Sequence, residues 1–408
     1  MPRARPAAGG REAFCKVGGM SEISVVVGPG VPADAALLAE IATRELAVWH
    51  ARGAVAYARD AAHLRSLVRG SGAAVVVPGP SPEARALIGQ PLGSQVVAWV
   101  DLEHVEGAGH IHGRGLWGLA WGVRHAVHRL RHPPTRRVLY GDGSAEQWAD
   151  LYLPPGRTDR TGRTGRTGGT PVVALVHGGY WRSIWAADLM EALCADLTAR
   201  GLAVWNLEYR RPDRHGWAAT VADVAAGLAA MEGADPGLDL DRIALAGHSA
   251  GAQLVLRAVA DGARARLAVS LAGVLDLVQA DRRRLSAGAT AAALGRPSPD
   301  TAGLGGAAAG DPGRTPEESS GHGAAAPDDV YAAASPLHRV PVGVPQLIVQ
   351  GTGDELDFVD FGRRYARAAR EAGDDVTYLE MPGGHFDVIL PTTPIWQATA
   401  QAITDALA

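Results

Sequence analysis

A serine between two glycines has the clearest chemical context in this sequence. The pentapeptide 247–251 reads Gly-His-Ser-Ala-Gly; an apolar strand-like run, 243–246, precedes it and a helical pattern, 252–259, follows it. A strand, a sharp turn and a helix are the context in which a Gly-x-Ser-x-Gly motif exposes a reactive hydroxyl. The two glycines permit the close backbone approach that such a turn requires. We predict that Ser249 is a nucleophile; the alternative is a Gly-rich turn without chemistry.

A serine nucleophile needs a histidine to accept its proton and a carboxylate to hold that histidine. The strand-like run 346–350 ends shortly before Asp354, and His385 lies on a Gly-rich loop after the next strand. Open α/β sheets assemble their sites at the carboxyl ends of the strands. We therefore predict that His385 is the base and Asp354 the acid. Glu355 and Asp357 compete with Asp354, and Asp357 is the stronger rival.

A second glycine pair indicates where a negatively charged intermediate would bind. The run 172–176 reads as a strand and leads into His-Gly-Gly-Tyr-Trp at 177–181. Backbone N–H groups of Gly178 and Gly179, together with that of Ala250, are the predicted oxyanion hole. Loss of one such donor typically lowers turnover by about 100- to 1000-fold. The alternative is a plain glycine turn.

The predicted strands and helices that must position these residues form two alternating series. Two domains are the expectation for a chain of 408 residues. The series 21–132 predicts a small parallel sheet flanked by helices, and prolines 133–134 mark its end. The series 133–408 predicts a doubly wound open sheet. The predicted strands are 23–27, 54–57, 73–77, 96–100, 147–153, 172–176, 203–209, 243–246, 267–272, 346–350 and 376–381.

Three segments lack the residues that build a core. We expect 1–20 to be a disordered tail, and the sequence leaves open whether 1–19 are translated. Repeated Arg-Thr-Gly near 157–169 and a run of Ala, Gly, Pro and Ser near 297–326 predict low-complexity inserts. Long loops of this kind serve as lids or spacers, and the flanks of the second insert are a candidate lid.

Composition narrows the expected partners. The chain has 39 Lys and Arg residues against 43 Asp and Glu, a net charge of −4, which gives no reason to expect nucleic acid. No uncharged apolar run reaches the roughly 20 residues of a membrane span. Two cysteines, Cys15 and Cys194, are too few for a disulfide scaffold and favour a reducing cytoplasm. The predicted partner is a small-molecule amide or ester.

Histidines outside the predicted triad are candidate metal ligands. They form two groups, His110 with His112, and a helical group of His125, His128 and His132. No carboxylate or cysteine accompanies the helical group at ligand spacing, and arginines surround it, whereas zinc needs several converging donors. We expect a basic solvated helix there, no metal, and no organic cofactor.

The site motifs resemble those of the kynurenine formamidase branch of the α/β-hydrolases. The likeness covers about 138–408 and rests on 177–181, on Asn-Leu-Glu-Tyr-Arg-Arg at 206–211 and on Gly-His-Phe-Asp at 384–387. It implies an α/β-hydrolase doubly wound sheet and hydrolysis of N-formylkynurenine to kynurenine and formate through an acyl-serine. Tyr180, Trp181 and Phe386 would then line an aromatic pocket, or else pack under a cap. Related esterases share most of these motifs, so a general carboxylesterase is the alternative.

The first series resembles type II 3-dehydroquinate dehydratase, which implies a smaller flavodoxin-like parallel α/β domain. The likeness rests on 74–80, 98–102 and 111–118. Val77 stands at the family's asparagine and Asp101 at its catalytic histidine. We therefore expect a degenerate scaffold for assembly, including a homo-oligomer, or for regulation. Dehydratase activity is the alternative from another class.

Overall fold

Two β-sheets with covering helices organise the protein. The computed structural model describes residues 22–92, 96–106, 109–156, 169–296 and 327–408. The expected tail and almost all of both expected inserts lie outside these residues. We call 22–132 the N-terminal region and 133–408 the C-terminal region.

A five-stranded parallel sheet forms the centre of the N-terminal region. Its strands are β1 (Glu22–Val27), β2 (Arg52–Tyr57), β3 (Ala73–Val77), β4 (Val96–Asp101) and β5 (Ile111–His112). They lie in the order β2-β1-β3-β4-β5, and every pairing is parallel. This is the flavodoxin-like order, and the predicted parallel sheet is confirmed. The central strands are valine-rich and buried, as expected where helices cover both faces.

Four helices accompany this sheet. They are α1 (Ala35–Val48), α2 (Ala61–Arg69), α3 (Pro82–Arg85) and α4 (Trp117–Arg131). An Asp or Ser side chain caps each of the first three by accepting a backbone N–H of the first turn. Helix α4 lies close against β4, because Gly118 and Gly122 leave room for the methyl groups of Val100.

An eight-stranded mixed sheet forms the centre of the C-terminal region. Its strands are β6 (Arg136–Leu139), β7 (Trp148–Tyr152), β8 (Thr170–Val176), β9 (Ala203–Leu207), β10 (Leu238–His248), β11 (Leu267–Leu271), β12 (Gln346–Gly351) and β13 (Val376–Met381). The order is β13-β12-β11-β10-β8-β9-β7-β6. The pairs β6–β7 and β7–β9 are antiparallel and the others parallel. The predicted doubly wound sheet is confirmed, with an antiparallel edge added.

Helices cover both faces of this sheet. They are α5 (Glu191–Ala199), α6 (Pro212–His215), α7 (Trp217–Ala229), α8 (Ala250–Ala260), α9 (Leu277–Arg282), α10 (Leu285–Ala293), α11 (Pro327–Ala334), α12 (Leu356–Glu371) and α13 (Pro394–Ala406). Within the described ranges, no helix has the length and apolar character needed to cross a bilayer.

Helix α4 lies between the two sheets, and its charged side chains form ion pairs with the C-terminal region. Arg129 reaches Asp150 of β7 at 2.6 Å and Glu191 of α5 at 2.6 Å, and both carboxylates are almost fully buried. His125 lies 2.8 Å from Glu191, while His128 is buried against Trp49. Burial lowers the pKa of His128 to about 3. The expectation of a solvated basic helix is therefore wrong, because this helix faces the neighbouring sheet rather than water.

We expect Arg129→Met to lower the free energy of unfolding by about 3 kcal/mol, because Asp150 and Glu191 would lose a shared cation and keep only Arg137 and His125 as partners. Urea unfolding followed by tryptophan fluorescence measures this loss. Arg264→Met is the control, since the Arg264–Asp241 pair is exposed and should leave the midpoint unchanged. Equal midpoints for Arg129→Met and the wild type would contradict the expectation.

Candidate active site

Ser249 lies in a strained turn between β10 and α8. Its φ of 53° and ψ of −117° place a non-glycine residue in a rarely populated region. Such a conformation costs about 1–3 kcal/mol and persists only where the surroundings impose it. A Cβ atom on Gly247 would collide with the carbonyl of Gly251, and one on Gly251 would collide with the carbonyl of Val176. The backbone contacts of the turn therefore require both glycines of the motif.

Three backbone N–H groups beside Ser249 have no acceptor among the described residues; they belong to Gly178, Gly179 and Ala250. Ala250 begins α8, where an N–H has no partner within the helix. A Cβ atom on Gly178 would lie 2.9 Å from the Cβ of Ser249 and 2.6 Å from the carbonyl oxygen of His248. The loop after β8 thus runs directly against the serine turn, and the predicted oxyanion donors come from two segments that meet there.

His385 and Asp354 form a hydrogen-bonded pair. The Nδ1 atom of His385 lies 2.9 Å from Oδ2 of Asp354. Gln350 donates to the same oxygen at 2.9 Å, and the backbone N–H of Glu355 donates to Oδ1 at 2.7 Å. The side chain of Asp354 is 1% exposed and that of His385 is 21% exposed. A carboxylate on Nδ1 leaves Nε2 of the imidazole to accept a serine proton.

Glu355 and Asp357, the two alternatives to Asp354 as the acid, lie in other surroundings. Glu355 is the residue before the first turn of α12. Asp357 forms an ion pair with Arg283, with 2.7 Å between Oδ1 and Nη1. Of the three candidates, Asp354 is the one that contacts His385.

The loop of His385 is joined to the serine turn. The Nε2 atom of His248 donates to the carbonyl of His385 at 3.1 Å, and burial lowers the pKa of His248 well below its usual value. The backbone N–H of Gly353 donates to the carbonyl of Gly383 at 2.9 Å, which ties the acid loop to the base loop. No hydrogen bond joins the hydroxyl of Ser249 to His385, both of which are described residues. Such bonds often tighten only when substrate binds.

His177 and Glu208 hold the oxyanion loop from beneath. The ring of His177 is fully buried, stacks on Tyr209 at 4.5 Å and places Nε2 3.1 Å from Glu208. Glu208 also contacts Arg211 and accepts the backbone N–H of Ala187 at 2.9 Å. Burial lowers the pKa of His177 to about 3, so the ring is neutral at pH 7. Glu208 is not among the predicted site residues; its one signal in the sequence is a carboxylate inside a run that reads as a buried strand.

Arg114 of the N-terminal region reaches the segment behind the oxyanion loop. Its guanidinium donates to both carboxylate oxygens of Asp188, at 2.6 and 2.8 Å, and to the carbonyl of Ile184 at 2.6 Å. It also lies 4.5 Å from the ring centre of Trp185. Trp185 occupies the space that a Cβ atom on Gly179 would need. The N-terminal region therefore supports the loop that carries two of the three N–H groups.

The three predicted substrate-binding aromatic residues differ in position. Tyr180 is half-buried in the oxyanion loop. Phe386 is 47% exposed, and its ring lies 5.6 Å from that of His385. Trp181 is 1% exposed and donates its indole N–H to Gln253 at 3.0 Å. Trp181 is thus a packing residue beneath the loop and does not line a cleft, because its polar atom is already satisfied in the core.

Asp101, which the expected likeness to a dehydratase aligns with a catalytic histidine, forms an ion pair. One oxygen of its carboxylate lies 2.6 Å from Arg85, and the other accepts the backbone N–H of Leu102 at 2.8 Å. Arg85 also pairs with Glu103 at 2.7 Å. This arrangement offers no imidazole base at that position.

The sequence and the fold define the class of this protein. The family described as alpha/beta hydrolase fold matches residues 173–390, more than half of the chain. The chain belongs to the α/β-hydrolase fold family.

Solved structures of esterases have a similar fold. A truncated carbohydrate esterase from gut microbiota is 17% identical with a TM-score of 0.52, over 68% of this chain and 98% of that chain. An inhibited esterase B from Lactobacillus rhamnosis is 18% identical with a TM-score of 0.50, over 70% of this chain and 92% of that chain. A thermophilic esterase from Thermogutta terrifontis with bound butyrate is 18% identical with a TM-score of 0.49, over 67% and 94%. A search of curated proteins found no match.

We expect Gly178→Ala to slow the reaction of Ser249 with a fluorophosphonate probe by about 100- to 1000-fold, because the new Cβ atom would displace an oxyanion donor. The rate of labelling measures the effect, and the unfolding midpoint checks that the variant is folded.

Gly233→Ala is the matched control, since a Cβ atom there meets no atom within 4 Å. Wild-type labelling of folded Gly178→Ala would contradict the assignment of this loop.

Proposed function

We propose that this protein is a serine hydrolase that cleaves carboxylic esters of small acyl groups through an acyl-Ser249 intermediate. The proposal rests on one arrangement: a serine held at a left-handed turn, against a loop with backbone N–H groups that have no acceptor among the described residues. These are the parts that acyl transfer needs, a nucleophile and donors for the developing oxyanion.

In the proposed reaction, the hydroxyl oxygen of Ser249 attacks the carbonyl carbon while Nε2 of His385 takes its proton. The hydrogen bond between His385 and Asp354 orients the ring and stabilises the imidazolium. The N–H groups of Gly178, Gly179 and Ala250 bind the oxyanion of the tetrahedral intermediate. The leaving alcohol then takes the proton from His385, and water hydrolyses the acyl-enzyme by the same steps. The reaction requires no metal or organic cofactor.

Restricted access to the serine supports a small acyl group. Ser249 is 2% exposed, so we expect a small acyl group to reach its hydroxyl more readily than a large one. The solved structures of similar fold are described as esterases, which favours an ester as the bond that is cleaved.

An N-formyl aryl amide such as N-formylkynurenine is the second candidate substrate. Formyl is the smallest acyl group and fits a nearly buried serine. An aromatic series also leads away from His385, through Phe386 at 5.6 Å to Trp121 at a further 6.0 Å between ring centres. Trp121 is 7% exposed and lies behind Phe386, so Phe386 is the face that would contact an aryl leaving group.

We expect Ser249→Ala to lower kcat for p-nitrophenyl acetate by about 10⁶-fold, because the covalent route is lost. Release of nitrophenolate measures kcat. Ser66→Ala, at an exposed serine of α2, is the control and should retain full activity. Undiminished turnover by folded Ser249→Ala would disprove the acyl-serine mechanism.

Comparing kcat/KM for p-nitrophenyl acetate and butyrate with that for N-formylkynurenine separates the two substrate classes. We expect acetate to exceed butyrate, because Ser249 is nearly buried. Ester hydrolysis without formate release would eliminate the formamide candidate. Formate release with a higher kcat/KM than any ester would replace the ester proposal.

A further inference from the structure

Three histidines of the N-terminal region lie together, away from the candidate active site. His104, His110 and His112 each offer a ring nitrogen, and these three atoms all lie within 4.8 Å of one another. The ring centres are 4.8–5.5 Å apart. His110 and His112 are close in the sequence, and the structure adds His104 to the pair.

The spacing is close to what a zinc ion requires. A point equidistant from three atoms 4.8 Å apart lies about 2.8 Å from each, whereas a zinc–imidazole bond measures about 2.0–2.1 Å. Each nitrogen would therefore move by less than about 1 Å. Side chains on a surface loop make shifts of this size by small rotations about χ1 and χ2.

The surroundings of two rings suit ligation. The Nε2 atom of His110 accepts the backbone N–H of Val105 at 3.2 Å in one tautomer, and in the other it donates to the carbonyl of Glu103 at 3.2 Å. Metal-bound histidines commonly donate their second ring N–H to a backbone carbonyl in this way. His112 ends β5 and is partly buried, so the strand fixes the position of its backbone.

Two arginines near the cluster are balanced by carboxylates. Arg114 forms its bidentate pair with Asp188, and Arg214 lies 2.7 Å from Glu106. The same oxygen of Glu106 lies 3.4 Å from Nε2 of His104. This carboxylate offsets the repulsion between a divalent cation and the guanidinium groups and is the nearest candidate for a fourth ligand.

The cluster borders a cavity of about 360 Å³ between the two regions. Its other lining residues include Glu146, Ser183 and His215 of the C-terminal region. A metal held by three histidines would therefore leave one position facing this cavity, where water or Glu106 completes the tetrahedron.

We propose that His104, His110 and His112 form a zinc-binding site in the N-terminal region, separate from the serine site. Three imidazole nitrogens with one open position are a donor set that suits Zn²⁺ better than Mg²⁺ or Ca²⁺, which prefer oxygen ligands. The zinc site takes no part in the Ser249 reaction, so a failure of one proposal would leave the other unaffected.

Titration of chelator-treated full-length protein with Zn²⁺ in a calorimeter tests this inference. We expect one Zn²⁺ per chain, and Co²⁺ in its place should give the visible absorption of a tetrahedral nitrogen site. His112→Ala should weaken Zn²⁺ binding by more than about 100-fold. His104→Gln, at an exposed position, should do the same without affecting folding.

His63→Gln is the matched control, because His63 lies on α2 outside the cluster. It should bind Zn²⁺ like the wild type. The proposal is overturned if the wild type takes up no Zn²⁺, or if folded His104→Gln and His112→Ala both bind it with unchanged affinity. Zinc should also raise the unfolding midpoint of the wild type and of His63→Gln, but not that of the two cluster variants.

Discussion

The left-handed turn at Ser249 is the constraint on which the arrangement of the site depends. In that conformation the carbonyl of Gly251 lies where a Cβ atom of residue 247 would be, and the carbonyl of Val176 lies where a Cβ atom of residue 251 would be. These contacts bring the end of β8 against the end of β10, so the loop of Gly178 lies beside the serine. The strain at one residue is thus offset by packing between two neighbouring strands of a buried parallel sheet.

Support for the oxyanion loop comes from two directions. Beneath it, the neutral His177 and the carboxylate of Glu208 satisfy each other in a fully buried position. Behind it, Arg114 of the N-terminal region holds Asp188 and lies over Trp185, which packs against Gly179. Buried polar groups of this kind must be paired, and the pairing fixes the loop in one position. The N-terminal region therefore affects the serine site through packing, without contributing a residue that reacts.

Most of the architecture could be predicted from local patterns. The buried strand 73–77 appears at the predicted bounds, because a continuous apolar run between turn residues has few other solutions. The edge strand Arg136–Leu139 was not predicted, since it is short and carries two arginines. Helix α4 was placed correctly, but its surroundings were not, because a helix pattern rich in Arg and His does not reveal a neighbouring sheet with buried carboxylates.

For the candidate site, the sequence by itself determined the order of the chemical groups. Ser249, Asp354 and His385 each stand shortly after a predicted strand, and the glycines around them have few roles other than tight turns. Only the tertiary structure decided which carboxylate contacts the histidine, that Trp181 faces the core, and that His104 lies beside His110 and His112. The reason is physical: local composition limits backbone conformation, whereas side-chain partners depend on which distant segments the sheets bring within a few ångströms of each other.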